Sequence, residues 1–198
     1  MKAPRPHSGW TPSLTLVASL CAAAALSFAA AMHLFPGGYN PAMQMLSALG
    51  RTEVRLAEHQ WCRWLFFAGM LLSALSVAAA AVRARLSAWG AALNVAGLVW
   101  IALVPENVSM PLHDAGCWLA AAGGGVMLVA WRRAEVSRRI RRAWTAALVL
   151  PIASMALALA LNALGVVPFA PLVPSLQKIV ILSFAAWLLF LSWRACGS

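Results

Sequence analysis

Apolar residues run through this chain in long blocks, broken by short segments where arginine, proline, glycine and histidine collect. The blocks cover about residues 12–35, 64–82, 87–104, 112–131, 143–167 and 175–193. Each holds roughly 18–25 residues, which at about 1.5 Å per residue spans a hydrocarbon core of about 30 Å. Neither a strand period nor a one-sided helical stripe dominates them, so lipid rather than a buried core must cover most of their faces. The pattern predicts an all-α, polytopic transmembrane bundle of about six spans. Its divisions are a tail over 1–11, one transmembrane domain over 12–193 containing a non-spanning segment at 36–63, and a tail over 194–198.

The first block admits a second reading. Lys2 and Arg5 precede it, and Ala29-Ala30-Ala31 resembles a signal-peptidase site. The apolar stretch exceeds the usual h-region of about 7–15 residues, so a retained span is expected; cleavage would leave five helices.

Basic residues set the orientation. With the N-terminus in the cytoplasm, the inner segments hold Lys2, Arg5, Arg83, Arg85, Arg194 and the six arginines between 132 and 142. Arg51, Arg55, Arg63 and Lys178 remain outside. This positive-inside bias predicts that both termini are cytoplasmic. It also accounts for the net charge of +10 without nucleic acid, because the cations flank apolar blocks instead of forming a basic face. The 132–142 connector is basic enough to meet anionic headgroups, though orientation alone explains it. Tryptophans 10, 61, 64, 118, 131, 144 and 193 fall near span ends, as an interfacial aromatic belt would. Cys21, Cys62, Cys117 and Cys196 form no CxxC pair. Cys62 and Cys117 fall on the same side, where two buried free thiols are expected in preference to a disulfide.

Candidate chemistry gathers on the outer side. In the 36–63 segment, Asn40 suits a helix N-cap, Pro41 the first turn and Gly50 a C-terminal stop. A short helix with Met43, Leu46 and Leu49 on one face is expected, lying in the interface or tucked into the bundle mouth. A second helical stretch from Thr52 should run into the next span. His33, His59 and His113 reach the same level and are the candidate metal ligands. Asp114, Glu106 and His113 are the candidate catalytic groups of a hydrolase acting on lipid headgroups. Asn40, Ser47, Glu53, Gln177 and Lys178 are the candidate binding residues. Against this, no HxxxH or HExxH pair is present, and helix caps and salt bridges explain the same residues. Asn94 and Asn162 suit interhelical hydrogen bonds, and Gly123-Gly124-Gly125 suits close helix approach.

Phe35-Pro36, Tyr39-Asn40-Pro41, Leu46-Ser47-Ala48-Leu49-Gly50, Val104-Pro105 and Leu112-His113-Asp114 occur in this order around the spans. In these motifs, over about residues 12–193, the chain resembles the six-helix bacterial membrane family catalogued as domain of unknown function 998. Similarity to DRAM-like and Frag-like membrane proteins is weaker. The resemblance implies an integral protein of the bacterial cytoplasmic membrane and carries no settled activity or cofactor. Family members commonly read SDLG where this chain has Ala48 before Leu49-Gly50; an acid needed there would be missing here or supplied by Glu53.

Three functions follow as expectations. The first is a non-enzymatic component binding membrane lipids or a partner at its outer face. The second is the lipid hydrolase just described. The third is a small transporter, for which charges near the midplane are expected and none is found mid-span. Cofactor and oligomeric state are open.

Overall fold

The computed structural model describes residues 12–52, 57–135 and 137–195, together with no side chain at 13 or 57–59. Among these residues there is no strand. Six helices follow one another: α1 (Pro12–His33), α2 (Ala57–Arg83), α3 (Ala88–Leu103), α4 (Met110–Ala134), α5 (Arg138–Ala163) and α6 (Leu172–Arg194). A 3-10 helix, Leu46–Gly50, lies between α1 and α2. All except α3 are long and apolar enough to cross a bilayer. At 16 residues, α3 measures about 24 Å, yet it joins the far end of α2 to the near end of α4. The chain is therefore a multi-pass membrane protein.

The helix starts follow local chemistry. Ser87 accepts a hydrogen bond from the amide of Gly90 and Ser137 one from Ile140, capping α3 and α5. The first helix stops at Pro36-Gly37-Gly38, where φ is +79° at Gly37 and +85° at Gly38, a region that glycine enters without cost. The second helix begins at Ala57, ahead of its apolar block, and the fifth at Arg138 instead of Ala143. Hydropathy marks where lipid begins, whereas backbone hydrogen bonding carries a helix on into the headgroup level.

The helices lie in the order α4, α3, α2, α1, α6, α5, and α6 also touches α2. The tightest pair is α3 on α4. Gly90, Asn94, Gly97 and Ile101 face Gly116, Ala120, Gly123 and Met127, and the two sets share one spacing. A Cβ at Gly97 would stand 2.3 Å from the amide nitrogen of Ala120, and one at Gly123 2.3 Å from that of Asn94. Small residues thus let the two backbones touch. Asn94 fastens the seam by donating through Nδ2 to the Ala120 carbonyl at 2.7 Å. Asn162 differs from expectation: it bonds the Val167 carbonyl in the connector just after its own helix.

Trp187 of α6 is fully buried at the arginine-rich end, among Val17, Val77, Met127 and Leu191. Trp131 packs edge-on against it, with ring centroids 5.9 Å apart. Trp131 therefore belongs to the core and not to the belt, while Trp61, Trp64, Trp118 and Trp193 are exposed at helix ends or on outer faces. Glu135, after α4, accepts hydrogen bonds from Arg194 and from the Ser137 amide, and so ties the end of α6 to the α4–α5 turn. A second core at the opposite end contains Ala31, Leu49, Cys62, Phe66 and Ile101. Cys62 and Cys117 are both free; Cys62 is buried, but Cys117 lies exposed on α4.

Candidate functional site

The loop after α1 forms a plug in the end of the bundle opposite the arginines. Asn40 does not start an α-helix. Its Oδ1 accepts from the Ala42 amide at 3.0 Å in an Asx turn, and Gln44 Oε1 accepts from the Asn40 amide at 2.8 Å. The Asn40 carbonyl also accepts from the Met43 and Gln44 amides, a single turn that does not propagate, and the regular helical geometry of the loop is the 3-10 helix Leu46–Gly50. That segment is entirely buried, whereas Met43 is exposed, so the shared face is not formed. Phe66 packs against Gly50, where a Cβ would stand 2.7 Å from its ring.

Two neighbouring elements hold the plug. From α6, Gln177 Oε1 accepts from the Leu46 amide at 2.9 Å, and Lys178 Nζ donates to the Gln44 carbonyl at 2.8 Å. Lys178 also donates to Pro174 and lies 5.5 Å from the centre of the Tyr39 ring. The α3–α4 loop supplies Glu106, whose side chain is 8% exposed. One carboxylate oxygen accepts from Ser47 Oγ at 2.5 Å and the other from Arg51 Nε at 2.6 Å. Next to it, Asn107 and Thr52 exchange two hydrogen bonds. A buried carboxylate is costly unless paired, and here both oxygens are engaged.

The catalytic candidates do not share one arrangement. His113 is buried and its Nδ1 stands 2.8 Å from the Val104 carbonyl. A carbonyl only accepts, so Nδ1 carries the proton and the ring braces the α3–α4 turn. Asp114 follows on the same helix and is exposed. Of the metal candidates, His33 is exposed at the end of α1, and the His59 side chain lies outside the described residues, as does Glu53. Among the described residues, no three His, Cys, Asp or Glu side chains are grouped to hold a metal ion. Of the binding candidates, Asn40, Ser47, Gln177 and Lys178 all belong to the plug or its fastenings. Arg51, Tyr39, Gln44 and Asn107 complete it and were not singled out by sequence. The signal for Arg51 was an arginine kept on the side poor in cations.

Tyr39 is the chain's sole tyrosine and donates through its hydroxyl to the Gln44 carbonyl at 3.0 Å. Burial, and secondarily the Glu106 charge, push its pKa up to about 12. A spectrophotometric titration of the folded protein should therefore show one phenolate transition near pH 12, falling to about 10 on unfolding. Because the folded value is the higher one, the associated stability is complete below about pH 10 and disappears as pH rises through about 12.

Beside the plug, His33, Leu34, Phe35, Pro36, Gly37 and Trp61 line an open cavity of ≈ 380 Å³. Imidazole and indole offer polar side-chain groups there, and Leu34, Phe35 and Pro36 offer apolar ones. No curated protein and no solved structure matches the chain. One family model does, over residues 19–194, and that match takes in most of the first span, the whole plug and the other helices: the chain belongs to the family described as "Protein of unknown function (DUF998)".

Proposed function

We propose that this protein is a non-enzymatic component of the bacterial cytoplasmic membrane that binds a lipid at its outer face. The cavity beside the plug carries the reading, since its wall of Leu34, Phe35, Pro36 and Trp61 suits acyl and glycerol groups and His33 suits a headgroup. The pairing of the plug argues in the same direction. Glu106, the buried carboxylate at this end among the described residues, already has a partner on each oxygen, and its role is to keep the mouth shut. In this reading the Glu106 end faces outward and the arginine-rich end inward, by the charge rule.

The test is lipid retained by the full-length protein after detergent purification, measured by mass spectrometry. Trp61→Ala should lower retention about tenfold, as expected for losing one large buried apolar contact with the ligand. Trp118→Ala, an exposed indole on α4, should leave it unchanged. Equal retention in both variants would remove this cavity as the site. Headgroup release by the wild type that disappears in His113→Ala and Asp114→Ala would replace binding with hydrolysis.

A further inference from the structure

The opposite end of the bundle carries a second cavity, of ≈ 330 Å³, between the last turn of α4 and the first turns of α5. We propose that it binds the phosphate of an anionic phospholipid. Consecutive helices joined by a short turn normally pack along each other. Here α5 packs on α6, and no extensive contact joins α5 to α4, so a cleft is left open to the membrane. Only 11% of the apolar window of α5 is buried, so lipid reaches the cleft from the side.

The lining is graded along α5. Two rows of positions four apart, Arg141–Thr145–Val149 and Arg142–Ala146–Leu150, face the cavity, and Arg132 of α4 joins them. Over about 13 Å of helix, the wall passes from guanidinium to hydroxyl to branched alkyl. A diacyl lipid presents the same sequence, from phosphate through ester to acyl chain. Free phosphate would have no use for the apolar half.

Charge and hydrogen bonding support an absent acceptor. Glu135 is the acid at this end among the described residues, and its carboxylate is occupied by Arg194 and the Ser137 amide. Among the described residues, Arg132 and Arg142 therefore have no carboxylate to face, and Arg141 reaches only the Glu135 main-chain carbonyl, at 3.5 Å. Thr145 is the second observation. Ser27, Ser73, Ser76 and Ser192 each donate to the carbonyl four residues back in their helices. Thr145 lines the cavity, and its Oγ1, shielded in this rotamer, has no partner. An unpaired hydroxyl of this kind is costly, and a turn about χ1 towards the cavity would let an ester or phosphate oxygen satisfy it.

The test uses the full-length protein in neutral detergent with phosphatidylglycerol as probe, read by native mass spectrometry. Arg141→Gln with Arg142→Gln should weaken binding about thirtyfold, from roughly fivefold per arginine. Arg138→Gln with Arg139→Gln removes equal charge from residues outside the cavity and should change binding less than about threefold. Thr145→Val keeps the side-chain shape and should weaken binding about fivefold with an unchanged melting temperature. Phosphatidylcholine should bind at least about tenfold more weakly than phosphatidylglycerol, and millimolar inorganic phosphate should not displace the lipid. Equal losses in both arginine pairs, an unaffected Thr145→Val, or displacement by phosphate alone would each overturn the assignment.

Discussion

Gly123→Ala will destabilise the protein strongly, while Gly125→Ala two positions later will not. A methyl at 123 would stand 2.3 Å from the Asn94 amide nitrogen, 2.6 Å from the Gly90 carbonyl oxygen and 2.8 Å from the Asn94 Cα. All three are backbone atoms, which cannot rotate away, so α3 must move off α4 and the Asn94–Ala120 hydrogen bond goes with it. The cost belongs at the upper end of the about 1–3 kcal/mol usual for overpacking, or above it. A methyl at 125 meets nothing within 4 Å, and exchanging glycine for alanine in a helix favours it by up to about 1 kcal/mol in water. At 124 the methyl would meet the Phe184 ring at 3.4 Å, an ordinary contact. Melting temperatures in one detergent should therefore fall sharply for 123, change little for 124 and hold or rise for 125. Three similar losses would mean that the seam is not where the backbones meet.

Arg51→Ala will cost more than Glu106→Gln. Removing the arginine leaves a carboxylate that is 8% exposed with Ser47 as its side-chain partner, a change in the class that costs about 3 kcal/mol when a buried charge loses its counterion. The Arg51 side chain is 46% exposed and regains water when Glu106 is changed, so its half of the pair contributes little. Glu106→Gln then loses the charge-assisted Ser47 bond, at about 1–2 kcal/mol. The double variant should cost less than the two single losses together, because the buried charge that makes Arg51→Ala costly is gone. Thermal unfolding of the four proteins in micelles measures this, and additive losses would mean that the two side chains do not interact.

The spans were legible because oil-facing helices need no pattern beyond apolar length. Their ends were less so. Arg138–Arg142 read as a connector, yet these residues form the first turns of α5, since a capped helix tolerates exposed arginines. That residues 46–50 are apolar enough to enter the mouth was legible, with the interface as the alternative; the exclusion of Met43 and the 3-10 geometry were not, since the plug is held by Gln177 and Glu106 from distant elements. The SDLG comparison directed attention from Ala48 to Glu53. The carboxylate that reaches this turn among the described residues is Glu106, 59 positions beyond Ser47. A partner so distant is fixed by how α3 and α4 pack, and no local spacing encodes it. Likewise His113, in the first turn of α4, and Glu106, in the loop before it, lie close in sequence, but one braces a main-chain carbonyl and the other holds the plug.

The fastening of the plug to α6 has a consequence for biosynthesis. Leu46 meets Gln177 across 131 positions and Gln44 meets Lys178 across 134. The first four helices leave the ribosome in the order in which they nest, so each finds its neighbour already inserted. Glu106 and Asn107 can hold the mouth once α3 and α4 are made, but its contacts with Gln177 and Lys178 wait for the sixth helix. Nascent chains arrested before residue 177 therefore carry a completed α3–α4 hairpin with the entrance held from that side alone, and the sixth helix completes the closure of the first loop.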